Sequence, residues 1–186
     1  MTTYDKLYAT GGFRYTTAFG IKHLNAINRT YKIFIPGTNI LDAPSGDGFF
    51  SLLLRNNYGC AVTPVDQSHV ASNLAGGVKW NLELTKEEWT PHKFDLVFCR
   101  GLSHFHHEKI PTQRTCDVLY NLMNYAPKVL LIYSTNQSNK MYKNHFHHKR
   151  HTLDKFLRFI GTFKSRMIGG YYTALIDARG IEGDLS

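Results

Sequence analysis

Asn39-Ile-Leu-Asp42-Ala-Pro-Ser-Gly46-Asp-Gly48-Phe-Phe-Ser51-Leu-Leu-Leu54 reads as a short buried strand, a tight glycine turn and the opening of an apolar helix. Ile40 and Leu41 supply the strand, which closes on Asp42, and Phe49, Phe50, Leu53 and Leu54 recur on one helical face. Gly46 and Gly48 let the main chain turn sharply and leave room for a ligand against it. The first N–H groups of the helix have no carbonyl partner within it and point toward that ligand. Asp42 is an acid, so the turn does not suit a pyrophosphate. It suits a group that donates hydrogen bonds or carries positive charge.

A strand that ends in an acid and runs into glycines resembles the first motif of the class I S-adenosylmethionine-dependent methyltransferases, acidic-x-Gly-x-Gly-x-Gly. Asp42 stands at the acid, Gly46 and Gly48 at the second and third glycines, and Pro44 replaces the first. Phe94-Asp-Leu-Val-Phe-Cys-Arg-Gly101 adds to the resemblance, because Phe-Asp before an apolar run is how the fourth strand of that family commonly begins. The resemblance covers residues 38–178. It implies an α/β, Rossmann-like sheet of seven strands with helices on both faces and an antiparallel last strand, in a single domain over 1–186. It also implies S-adenosyl-L-methionine as cofactor. A nicotinamide dehydrogenase fits less well, since Gly46-Asp-Gly48-Phe-Phe-Ser51 lacks the last glycine of G-x-G-x-x-G.

At 186 residues the chain is one domain's worth and can bury a sizeable core. No apolar run approaches the ~18 residues of a membrane span, and Met1-Thr-Thr-Tyr-Asp-Lys does not read as a signal peptide. Cys60, Cys99 and Cys116 are odd in number and widely spaced, as expected of buried thiols in a reducing, cytoplasmic setting. A formal charge of +8 favours a polyanionic partner over an acidic one. It is equally the charge of a basic enzyme with a small substrate.

Residues 1–35 read as an N-terminal helical cover, with Ile21, Leu24 and Ile27 at helical spacing. Arg14, beside the Gly11-Gly12 pair, is placed either to pair with the cofactor's carboxylate or to sit in solvent next to a hinge. Cys60 to Asp66 reads as the second strand, and Pro64 is expected to end its regular pairing. The resemblance makes Asp66 the acceptor for both ribose hydroxyls, with Gln67 beside the adenosine or capping a helix over 67–74. Val78 to Leu84 is the third strand, where Asn81-Leu82 matches the adenine-contacting pair and Glu83 is the alternative. Ala43 and Arg100 complete the implied cofactor set. Thr85-Lys-Glu-Glu88 is a capping-box pattern. Leu119, Leu122, Met123 and Ala126 mark a helix stopped by Pro127, Val129 to Tyr133 the fifth strand, and Leu153 to Ile160 a helix starting near Thr152. A closing hairpin joins 163–168 to 171–176 across Gly169-Gly170.

Methyl transfer from a sulfonium needs alignment of a nucleophile and exclusion of water, and the cofactor carries the reactivity. Substrate class is usually legible in the loop after the fourth strand. The Asn/Asp-Pro-Pro-aromatic tetrad, the Pro-Cys pair and the Lys-Asp-Lys-Glu set are all missing, so the acceptor stays open between a small molecule and a nucleic acid. His104 and His106 lie in that loop as candidate bases, since an imidazole accepts a proton at neutral pH; His104 serves equally as a cap or as packing beneath Phe105. A second histidine group, His145, His147, His148 and His151, stands among Lys143, Lys149 and Arg150. No cysteine or paired carboxylate completes a zinc site there, so no metal is expected and the segment reads as a basic loop. Two functions follow from these residues: a methyltransferase, and a binding module that keeps the fold and uses the basic loop on nucleic acid without catalysis.

Overall fold

The computed structural model describes residues 3–12, 15–84, 89–102, 104–105, 110, 112–134 and 148–178, with backbone alone at 3 and 4. Its strands are β1 (Asn39–Asp42), β2 (Ala61–Asp66), β3 (Val78–Lys79), β4 (Leu96–Arg100), β5 (Lys128–Ser134), β6 (Thr162–Ile168) and β7 (Tyr171–Asp177). They form one seven-stranded sheet in the order β3-β2-β1-β4-β5-β7-β6. The first five run parallel, and β7 pairs antiparallel with both β5 and β6. The helices are α1 (Thr3–Ala9), α2 (Thr17–Tyr31), α3 (Phe49–Tyr58), α4 (His69–Leu74), α5 (Gln113–Tyr125) and α6 (Arg150–Leu157).

Parallel strands covered on both faces need apolar side chains in both directions, which is why β1, β4 and β5 read as nearly continuous apolar runs. Ile40, Leu96, Phe98, Leu130 and Ile132 pack with Leu24 and Ile27 of α2 and Phe50, Leu53 and Leu54 of α3. Leu41, Val97, Cys99, Val129 and Leu131 point the other way, into Val118, Leu119 and Leu122 of α5 and Leu153 and Phe156 of α6. α2 is therefore a core helix, tied to the hairpin by the Tyr31 hydroxyl, which donates to the Thr173 carbonyl at 3.0 Å. Thr16 and Thr112 cap α2 and α5 with their hydroxyls, and α5 stops at Tyr125, leaving Ala126 extended before Pro127.

Two strands differ from the pattern expected of them. β2 keeps its register with β1 through Pro64, which stands opposite Asp42. Backbone polar groups of successive strand residues face opposite edges. The Val65 carbonyl accepts from Ser45 N–H on the β1 side, so the Pro64 nitrogen faces the other edge. There β3 begins only opposite Val65, and no ladder donor is missed. β3 is two residues long instead of seven. After Lys79 the Trp80 indole N–H donates to the Leu84 carbonyl and Asn81 Oδ1 accepts from Glu83 N–H, a local turn that displaces the ladder. α4 starts at His69, with the Ser68 hydroxyl as its cap. The capping box at 85–88 lies outside the described residues. No described helix is long and apolar enough to cross a membrane.

Candidate functional site

The carboxyl ends of β1, β2 and β4 meet beneath the glycine turn. Asp66, the last residue of β2, accepts from Gly46 N–H at 2.9 Å and from Ser68 N–H at 2.8 Å. Burial pushes its carboxyl upward, and the backbone donors Ser68, Gly46 and Gln67 pull it back. An ionised carboxylate has about four acceptor positions, so capacity is left for a ligand hydroxyl. The Gln67 side chain is exposed.

Asp42 turns inward. It is 1% exposed and accepts from the Ser51 hydroxyl of α3. Desolvation pushes its carboxyl up to about 7, with the charge of Asp66 adding and Ser51, Arg100 and Arg55 opposing. Ala43 is fully buried and donates its N–H to the Phe98 carbonyl. Gly48 sits at φ +82, where a Cβ would stand 2.8 Å from Ala75 Cα, so its lack of a side chain lets α3 start against the end of α4. Gly46, at φ +57, has a different neighbour: a Cβ there would lie 2.8 Å from the Tyr8 hydroxyl.

Tyr8 comes from α1 and is 8% exposed. The Ser68 hydroxyl donates to Asp5 at 2.6 Å, which holds the same helix over the turn. The N-terminal cover is thus anchored at both the glycine turn and the end of β2.

Arg100 closes β4 on the α2 and α3 side of the sheet. Its guanidinium carbon lies 4.5 Å from the ring centres of Tyr15 and Phe50 and 5.1 Å from that of Tyr171. Nη1 donates to the Tyr15 hydroxyl at 2.8 Å. Nε is buried and, among the described residues, has no partner. His23 packs behind, stacked on Phe19 and against Tyr171 and Phe50. Burial, then the Arg100 charge, pulls its imidazole down to about 4, so it is neutral.

His104 lies toward the other face. It is 6% exposed, its Nε2 is 2.9 Å from Glu83 Oε1, and its Nδ1 is buried with no partner among the described residues. Arg114 of α5 bridges to the same Glu83 oxygen. Arg114 and His104 together hold the Glu83 carboxyl down to about 2. Asn81 and Leu82 are set by Asn121 of α5, whose amide donates to the Leu82 and Leu84 carbonyls. Arg14 and His106 lie outside the described residues, as do Lys143, His145 and His147. Arg150 pairs with Asp154 at 3.4 Å, so it serves the start of α6. No group of three metal-ligating side chains occurs among the described residues.

The structure brings Asp42, Gly46, Asp66 and Arg100 to one end of the sheet and sets His104 with Glu83 on the α5 side. Sequence reasoning missed Asp5, Tyr8, Phe50, Tyr171 and His23 as parts of this end. They come from four separate segments, each reading locally as helix or strand. Only the aromatic excess, with 11 Tyr and 12 Phe, hinted at them.

No family model matches the sequence, and comparison with curated proteins finds no match. Solved structures do match. One is a SAM-dependent methyltransferase from Aquifex aeolicus, at 14% identity and TM-score 0.66, covering 94% of this chain and 97% of that one. Another is magnesium protoporphyrin IX methyltransferase from Synechocystis with bound SAM, at 18% identity and TM-score 0.59, covering 92% and 87%. A third is a putative S-adenosyl-L-methionine-dependent methyltransferase from Methanococcus maripaludis, at 13%, TM-score 0.62, covering 93% and 89%. The chain has the class I methyltransferase fold, with its antiparallel last strands.

Proposed function

We propose that the chain is an S-adenosylmethionine-dependent methyltransferase. The observation that carries this reading is the Asp66 carboxylate tied to Gly46 N–H at the adjoining ends of β1 and β2, within a sheet ordered β3-β2-β1-β4-β5-β7-β6. In open α/β sheets ligands lie outside the carboxyl ends of the strands. The residues present fit the cofactor: two left-handed glycines at the turn and an acid with acceptor capacity to spare. Asp66 is assigned to the ribose, Asn81 and Leu82 to the adenine, with Gln67 beside them. Asp42, Ala43, Gly46 and Gly48 shape the turn.

When bound, the cofactor supplies an electrophilic methyl group on sulfur. The chain's own work is to orient the acceptor and exclude water. His104 is assigned the proton of the incoming hydroxyl or amine, through the Nδ1 that Glu83 leaves free by holding Nε2. The unpaired thiols Cys60, Cys99 and Cys116 fit a reducing, cytoplasmic setting.

Calorimetry with S-adenosylmethionine, S-adenosylhomocysteine and NAD tests the reading. Binding of the first two and not the third is expected, followed by transfer of labelled methyl into one fraction of a lysate. No binding, or no preference over NAD, would dispose of it. The second reading, a binding module on nucleic acid without catalysis, is favoured by the net charge of +8. It predicts salt-dependent nucleic-acid binding with no label transferred to any fraction.

A further inference from the structure

Arg100 is a guanidinium held in an aromatic box with no ion-pair partner among the described residues. Tyr15 and Phe50 stand at 4.5 Å and Tyr171 at 5.1 Å, and these ring faces offset part of the cost of withdrawing the charge from water. They do not spend its donors. One goes to the Tyr15 hydroxyl, Nε goes to nothing described, and Arg100 makes no ion pair among the described residues. An unspent buried donor is costly. The nearby groups do not take up its free donor: His23 is uncharged, and Asp42, although it feels the Arg100 charge, makes its described side-chain hydrogen bond to Ser51.

We propose that Arg100 is the receptor for a carboxylate, and that the methyl acceptor is a small carboxylic acid with a flat apolar body. A guanidinium has a planar fork of donors that matches the two oxygens of a carboxylate. The half-buried rings of Phe19 and Phe49, packed against Tyr15 beside the box, suit an apolar body behind that carboxylate. The place of the box along the sheet decides for the acceptor over the cofactor. Arg100 is on β4, and one wall, Tyr171, is the first residue of β7. Asp66, the ribose site of the proposed methyltransferase on which this inference rests, is on β2, two strands from β4 in the opposite direction.

Benzoate and its uncharged counterpart benzamide are suitable probes, titrated by saturation-transfer NMR into the full chain with and without S-adenosylhomocysteine. The unaltered chain should bind benzoate at least tenfold tighter than benzamide. Arg100→Met should lose that tenfold while its affinities for benzamide and S-adenosylhomocysteine stay unchanged, and Arg100→Lys should recover part of the loss. Equal binding of benzoate and benzamide by the unaltered chain would overturn the proposal, whether or not Arg100→Met folds. Equally tight competition by inorganic phosphate would overturn the carboxylate assignment. If Arg100→Met instead weakens S-adenosylhomocysteine tenfold and leaves 5′-methylthioadenosine unaffected, the carboxylate is the cofactor's own and the acceptor assignment falls. Failure of the unaltered chain to bind S-adenosylhomocysteine at all would sink the methyltransferase reading separately, leaving the benzoate comparison to decide whether a carboxylate site exists.

Discussion

Asp66 accepts the Gly46 backbone N–H at 2.9 Å across 20 residues of chain. The acid at the end of β2 thereby fixes the glycine turn that follows β1. One carboxylate both shapes the crevice and is offered to whatever enters it.

Asp66→Ala should therefore cost twice. It leaves the N–H groups of Gly46 and Ser68 without their acceptor, and it removes the charged partner proposed for the ribose. S-adenosylhomocysteine affinity should fall by on the order of 1.5–3 kcal/mol, read by calorimetry, and the denaturation midpoint should fall as well. Asp66→Asn keeps one acceptor oxygen and should recover stability better than affinity. An Asp66→Ala protein that binds S-adenosylhomocysteine as tightly as the parent would remove Asp66 from the cofactor site.

Two glycines at similar left-handed φ separate backbone strain from crowding. Gly48 sits at φ +82 with Ala75 Cα 2.8 Å from where a Cβ would be, whereas Gly37 sits at φ +85 with nothing within 4 Å. Gly37→Ala should cost about 1–2 kcal/mol, the left-handed penalty alone. Gly48→Ala adds overpacking against α4 and should cost roughly 2–4 kcal/mol. Urea denaturation of the two variants checks the difference. Equal losses would mean that the turn shifts freely away from Ala75.

The sheet was legible in the sequence because buried parallel strands are long apolar runs closed by acids or glycines, as in Ile40-Leu41-Asp42 and Leu96 to Gly101. β3 was not, because Val78 to Leu84 alternates like a strand while the Trp80 and Asn81 side chains close a turn that only the fold can reveal. Pro64 misled for a related reason. Its cost depends on which edge of β2 its nitrogen faces, and a sequence carries no such information. At the site, the acids and glycines announced themselves by spacing. The aromatic box around Arg100 did not, since Tyr15, Phe50 and Tyr171 meet only when the segment leading into α2, the start of α3 and β7 are packed together.

Two carboxyls give stability opposite pH dependences. The folded chain raises Asp42 from 3.8 to about 7, chiefly by desolvation. The folded state therefore holds that proton more tightly, and its contribution is full below 3.8 and lost as pH rises through about 7. Glu83 is lowered from 4.5 to about 2, first by the Arg114 hydrogen bond and then by His104, so its contribution is present above 4.5 and lost as pH falls through about 2. The Glu83 side chain is 28% exposed, so solvent screening keeps its share small. Asp42→Asn should flatten the decline of Tm between pH 4 and 7, and Glu83→Gln should flatten only the acid limb. A Tm profile for Asp42→Asn that parallels the parent across that interval would show Asp42 to titrate normally.

His104 carries the sharpest division between chemistry and structure. Its Nε2 is committed to Glu83, Glu83 is held by Arg114, and Nδ1 is left buried and unspent among the described residues. A carboxylate on one ring nitrogen sets the tautomer that makes the other a proton acceptor. If that acceptor serves the incoming nucleophile, His104→Ala should lower turnover ~10²–10⁴-fold and abolish the acidic limb of the pH–rate profile. S-adenosylhomocysteine affinity should change little. Glu83→Gln should keep the fold and weaken turnover less, because the ring remains and only its orientation loosens. If His104 instead pins the loop after β4 to the turn after β3, His104→Ala should lower Tm and leave the pH–rate profile in place. Turnover by His104→Asn at close to the parent rate, with cofactor bound, would assign the chemistry to alignment alone.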